Sequence, residues 1–82
     1  MKITVTESHI QKGARYNGGS CPIALAIMEK MKLNPAHIAV APTFVVFYRG
    51  GIHRLPTKAL EFIDIFDRGA EAKPFSFNLN VK

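Results

Sequence analysis

The stretch FVVFYRGGIHRL, residues 44–55, is the feature that most narrows the folds open to this chain. Residues 44–49 are mainly β-branched and aromatic, and such residues favour a strand. Apolar side chains on both faces indicate a central strand that is covered on both sides, or a strand with one side covered by a partner. Gly50-Gly51 is typical of a two-residue hairpin turn, so residues 52–55 are expected to return antiparallel. An antiparallel sheet is therefore predicted.

Hydrophobic periodicity and turn signals predict the other elements. The expected strands cover residues 2–6, 37–41, 44–49, 52–55 and 75–81, and the expected helices cover residues 6–12, 20–33 and 57–68. A chain of 82 residues forms one domain, residues 1–82. This order predicts an α+β fold, a small two-layer sandwich in which two main helices pack on a mostly antiparallel sheet of four or five strands.

The second helix is expected to begin at Ser20, because serine is a favoured N-cap and Pro22 is tolerated in a first helical turn. Residues 21–28 are apolar on every side, which indicates that this end of the helix is deeply buried. In the third helix, Ala59, Phe62, Ile63 and Phe66 form one apolar stripe. Gly69 then predicts the end of that helix.

The only cysteine, Cys21, follows a loop containing Gly18, Gly19 and Ser20. Its place in a first helical turn could lower the thiol pKa and make it a nucleophile, with a histidine as base. The same four residues could instead hold an anion on backbone N–H groups. We favour a third interpretation, a capped helix start with a buried structural cysteine.

Net charge +5 is unevenly spread, because four of the six acids lie within residues 61–71. A basic body could meet nucleic acid, an acidic protein face or the acidic helix of a second copy in a homodimer. The candidate contact residues, for either protein or nucleic acid, flank two glycine-bearing turns: Arg15, Tyr16, Tyr48, Arg49, His53 and Arg54. The three histidines lack metal-ligand spacing, so no metal or cofactor is expected.

No apolar run is long enough for a signal peptide core or a membrane span, so we expect no membrane contact and a cytoplasmic location. The segments ITVTESHIQKG, SCPIALA, LPTKALEFIDIFDRG and PFSFNL together resemble a family of small uncharacterised proteins of bacteriophages and some bacteria. The resemblance implies a phage or mobile-element setting, in which small proteins often bind and inhibit a host component. It supplies no activity and no catalytic residue.

We therefore predict a non-enzymatic accessory protein that binds a host macromolecule. A host protein that it inhibits is the first choice. Direct DNA or RNA binding through the basic loop and hairpin is the alternative, and an enzyme based on Cys21 is the third.

Overall fold

The structure is a computed structural model, and it describes residues 1–15, 19–41, 43–48 and 50–79. The strands are β1 (Lys2–Val5), β2 (Ile38–Val40), β3 (Phe44–Phe47), β4 (Gly51–Arg54) and β5 (Phe75–Asn78). The helices are α1 (Glu7–Lys12), α2 (Pro22–Met31) and α3 (Thr57–Asp67), and a short 3-10 turn spans Pro35–His37. These elements confirm the predicted α+β class.

The five strands form two antiparallel sheets, whereas one sheet was expected. β1 pairs with β5, and β2, β3 and β4 form a separate three-stranded sheet in that order. Helix α2 contacts both β1 and β2, so it joins the two sheets in one core. Ile23 and Ile27 of α2 are fully buried, as are Ile3 and Val45 from the two sheets. Burial against α2 therefore holds the sheets together without a hydrogen-bonded ladder between them.

Helix α2 begins one residue later than predicted. Cys21, rather than Ser20, is the N-cap: it has extended backbone, and its Sγ accepts a hydrogen bond from the N–H of Ala24 at 3.4 Å. Pro22 occupies the first turn as expected. The helix ends at Met31, and its C-cap Lys32 adopts the left-handed conformation with φ 57°, so α2 is shorter than the predicted helix of residues 20–33.

The β3–β4 connection also differs from the two-residue turn that was expected. Phe47 pairs with Gly51, so β3 ends at Phe47 and β4 begins at Gly51. Gly51 takes φ 78°, a conformation that glycine adopts without steric cost. The second glycine thus lies in the strand ladder, and the turn is longer than the dipeptide alone suggests.

Helix α3 closes the core with aromatic side chains. Phe62 stacks on Phe75 of β5 with ring centroids 4.7 Å apart, and on Phe66 at 6.0 Å. After the helix, Gly69 has φ 81° and donates to the carbonyl of Phe66, while Ala70 donates to that of Ile65. This pair of bonds is a Schellman motif, so the predicted stop at Gly69 is confirmed.

The predicted last strand is shorter in the structure. β5 ends at Asn78, and Leu79 still donates a hydrogen bond to the carbonyl of Met1. Phe77 and Leu79 are buried, as their alternation predicted. The predicted end of this strand, Val81, lies outside the described residues.

Candidate functional site

Strand β4 forms an edge of the three-stranded sheet. In the part of the chain that the structure describes, β3 is the only strand that pairs with it. Leu55 donates to the carbonyl of Thr43 across this ladder, and antiparallel hydrogen-bonded pairs recur at every second residue. The next bonded pairs are Val45 with His53 and Phe47 with Gly51.

The same alternation fixes which backbone groups of β4 face away from the sheet. The N–H and C=O groups of Ile52 and Arg54 point away from β3, because these residues fall between the bonded pairs. We call these four backbone groups the β4 edge. They have the spacing of the donors and acceptors that an added antiparallel strand would use.

Two large apolar side chains are exposed beside the β4 edge. Ile52 is 68% exposed and Tyr48 is 72% exposed, whereas most other large apolar residues that the structure describes are at least partly buried. Ile52 pairs with Val46, which is half-buried, so the two side chains share the outer face of the sheet. A small domain gains stability by burying such side chains, so their exposure here favours a contact surface.

His53 belongs to the internal structure of the hairpin. Its Nε2 lies 2.7 Å from the carbonyl oxygen of Gly50. A carbonyl can only accept, so Nε2 carries the proton and donates it. The ring also packs edge-on against Phe47, with centroids 5.4 Å apart. The half-buried His53 therefore braces the turn that carries Tyr48.

The sequence segment that contains this hairpin carries charge of one sign. Between Glu29 and Glu61 the chain contains five Lys and Arg residues and no Asp or Glu. The exposed Arg54 lies on β4 itself and pairs with Phe44. A partner that approaches the β4 edge therefore meets positive charge without a neighbouring acid from the same segment.

The six predicted contact residues do not all lie on one element. The structure places Tyr48, His53 and Arg54 together on the β3–β4 hairpin. Arg15 instead lies at the end of α3, where its Cζ is 3.5 Å from the position that a Cβ on Gly69 would occupy. Tyr16 and Arg49 lie outside the described residues.

The start of α2, where Cys21 lies, is buried in the core. Cys21 is 9% exposed and belongs to the hydrophobic core. Burial raises the pKa of the Cys21 thiol, hydrogen bonds from the backbone of Ala24 and Ile23 lower it, and the Asp67 carboxylate adds a smaller rise, so the net shift is upward. The thiol therefore stays protonated near neutral pH, which is the opposite of an activated nucleophile.

The predicted anion site at the same place stays a prediction. Gly18 lies outside the described residues, and Gly19 and Ser20 are half-buried. The Cys21 sulfur already accepts the Ala24 N–H, one of the groups that would bind an anion. The carbonyl of Ser20 accepts from the N–H of Ala14, which ties the loop back onto the end of α1.

All three histidines contact the backbone of the residue three positions earlier. His9 Nδ1 accepts from the N–H of Thr6 at 2.9 Å, and His37 Nδ1 lies 3.4 Å from the N–H of Asn34. His9 is buried, and its Nε2 lies 3.4 Å from Glu29 Oε2. In the described part of the chain, no three His, Cys, Asp or Glu side chains group as metal ligands.

A surface groove lies between α3 and the segment before β5. This groove of about 330 Å³ has an apolar floor that includes Phe62, Ile65 and Phe75. Its rim carries both signs of charge: Lys58, Glu61, Glu71 and Lys73. The mixed rim gives no charge preference, so this groove discriminates between partners less than the hairpin does.

Two functional features escaped the sequence reasoning. Ile52 was treated as part of a returning strand, and its exposure depends on β4 being an edge strand. His9 has no structural role among the sequence predictions, although the pattern Thr6-x-x-His9 resembles a capping box, which the structure contains at the start of α1.

The chain matches no protein-family model, no curated protein and no solved structure. The resemblance to small phage and bacterial proteins therefore stays a prediction. Within the described residues, no helix is both long enough and apolar enough to cross a bilayer.

Proposed function

We propose that this protein is a non-enzymatic protein-binding module whose contact surface is the β3–β4 hairpin. The observation that carries the proposal is Ile52, an isoleucine 68% exposed on a strand edge. An exposed apolar side chain beside open backbone donors and acceptors is the combination used in strand addition between proteins. Tyr48 and Arg54 flank it, and tyrosine and arginine are enriched where proteins bind each other.

The resemblance adds a setting to this proposal. In that setting the bound protein belongs to a host cell, and binding inhibits it. Cys21 is a buried helix cap, which favours action by binding over an enzyme based on this thiol.

Site-specific photo-crosslinking tests the proposal. A photoreactive phenylalanine analogue replaces Ile52, and a matched variant carries it at Glu71, which is exposed on a different part of the molecule. In lysate of the native host, we expect a discrete protein adduct from position 52 that persists after nuclease treatment and is absent from position 71. Equal labelling from both positions, or none from position 52, contradicts the proposal.

Nucleic-acid binding is the second candidate, and the acid-free segment between Glu29 and Glu61 favours it. This function predicts binding that weakens steeply with salt, because phosphate contacts release counterions. Arg54→Ala should then weaken binding to a labelled oligonucleotide, whereas Ile52→Ala should not. If Ile52→Ala weakens binding to the partner and Arg54→Ala does not, the partner is a protein.

A further inference from the structure

The β4 edge specifies the conformation of what can bind there. Ile52 and Arg54 each present one N–H and one C=O, two residues apart and pointing away from β3. Only an extended backbone carries donors and acceptors at a matching repeat. A bound segment that satisfies both residues is therefore a strand, which extends the sheet from β2, β3 and β4 by one.

The side chains next to the β4 edge determine which residues the bound segment should contain. Ile52 and Arg54 lie two residues apart, so both side chains stand on the outer face of the sheet. Cross-strand neighbours on one face interact directly, and opposite charges there are favourable. The residue opposite Ile52 is thus apolar, and the residue opposite Arg54 is acidic.

A second copy of this chain fits the edge less well. Antiparallel pairing of β4 with itself would bring the two Arg54 side chains to one small patch, within a segment that contains no acid. In the register that satisfies both Ile52 and Arg54, the two Arg54 side chains are diagonal neighbours about 7–8 Å apart, and like charges at this separation repel each other. The one-signed charge of the segment therefore selects an acidic occupant.

We propose that the β4 edge binds an extended acidic segment of a partner protein as an added antiparallel strand. This inference rests on the proposed protein-binding function and names the chemical class of the bound segment. Backbone hydrogen bonds supply the alignment, Ile52 supplies an apolar contact, and Arg54 supplies the preference for acidic side chains.

A synthetic peptide of about eight residues, within the range of natural strands, tests the inference: valine and glutamate alternate along one face of the strand, and threonine occupies every position of the other face. Its control replaces each glutamate with lysine. We expect the acidic peptide to bind the full chain at least about tenfold more tightly, since attraction becomes repulsion in the control. Hydrogen exchange should slow at the amides of Ile52 and Arg54 on binding, whereas the amide of Leu55 already has a partner.

Backbone methylation of the peptide tests strand addition directly. Two peptides are methylated on alternate backbone nitrogens, one on the odd set and one on the even set. Only one set faces the β4 edge, so one peptide should lose at least about tenfold in affinity while the other binds normally. Equal effects of the two sets, or equal binding of the lysine peptide, overturn the inference.

Two variants of Ile52 separate the backbone from the side chain. Ile52→Ala keeps the outward N–H, and Ile52→Pro removes it without removing a bond to β3, because edge strands tolerate proline there. We expect the proline variant to bind about fivefold more weakly than the alanine variant. Should Ile52→Pro fail to fold, the methylated peptides decide the question on the unmodified chain.

The inference and the proposed function fail in different ways. A protein adduct from the photoreactive residue at position 52, together with no preference for the acidic peptide, refutes the acidic strand and leaves the binding module standing. Loss of both results refutes both. A third outcome is a dimer in analytical ultracentrifugation whose Ile52 and Arg54 amides are protected from hydrogen exchange without peptide. This outcome assigns the edge to a second copy and overturns the inference.

Discussion

Replacing Gly13 with alanine tests how closely α1 and α2 approach. Gly13 follows α1 with φ −72° and ψ 149°, an extended conformation open to any residue. Glycine is needed here for space: an added Cβ would lie 2.5 Å from Pro22 Cδ, 2.6 Å from Cγ and 2.7 Å from the proline nitrogen. These distances lie well inside ordinary van der Waals contact, so either Gly13 or the start of α2 must move.

The expected loss combines two opposing contributions. A glycine replaced by alanine in a compatible conformation stabilises by about 0.4–1 kcal/mol, because the unfolded chain loses freedom. Overpacking a well-filled site costs about 1–3 kcal/mol. Pro22 is fully buried and cannot swing into solvent, so the steric cost is the larger contribution. We expect Gly13→Ala to lower the free energy of unfolding by about 1–2 kcal/mol.

Urea denaturation followed by far-ultraviolet circular dichroism measures this loss, since the chain contains no tryptophan. Pro22→Ala removes the Cγ and Cδ atoms that the new methyl group would meet. The Gly13→Ala/Pro22→Ala double variant should therefore lose about 1 kcal/mol less than the sum of the two single losses. Gly51→Ala is the control for a glycine replaced without a steric clash. No atom lies within 4 Å of its new Cβ, so any loss there comes from backbone strain at φ 78°.

Two outcomes would refute this reasoning. The first is a Gly13→Ala variant as stable as the parent chain, which would mean that α1 and α2 separate at no cost. The second is strict additivity with Pro22→Ala, which would mean that the proline ring is not the obstacle.

Three other perturbations probe the caps and the core. Cys21 should react slowly with iodoacetamide in the folded chain, because the thiol is buried and its pKa is raised. With a raised folded pKa, the stabilisation from this thiol is complete below its unfolded pKa and is lost as the pH rises above it, so the free energy of unfolding should fall with rising pH in the parent and fall less in Cys21→Ala. Thr6→Ala should cost about 1 kcal/mol in urea denaturation, with Thr6→Ser close to the parent, because the hydroxyl accepts from the N–H of His9 at 3.3 Å. Gly69→Ala should lower unfolding free energy by about 1 kcal/mol through its φ of 81°, with Gly69→Asn losing less, and equal losses would contradict this reason.

Elements governed by near neighbours in the chain could be predicted well from sequence. The stripe of Ala59, Phe62 and Phe66 identified α3, and all three residues are buried. Gly69 marked the end of that helix, because a left-handed residue completes its last hydrogen bonds. Such signals depend on positions within one or two helical turns, so sequence alone contains them.

Features that depend on distant pairing could not be predicted in the same way. Alternation identified β1 and β5 as strands but carried no information on which strands pair, so one sheet was expected where two exist. The exposure of Ile52 follows from the position of β4 at an edge, which is a property of the whole sheet. The choice of Cys21 over Ser20 as N-cap depends on burial, since a thiol is the weaker acceptor in water but suits the core.

The pairing of β1 with β5 has a consequence for synthesis of the chain. Val5 pairs with Phe75, and Thr4 Oγ1 lies 3.2 Å from Ser76 Oγ, so β1 cannot pair until β5 has been synthesised about seventy residues later. Meanwhile the β3–β4 hairpin, whose partners are close in sequence, can already form. Until β5 emerges, α2 can cover Ile3 and Val5 on the nascent chain, whereas the β5 side of β1 stays open to a chaperone or an aggregating neighbour.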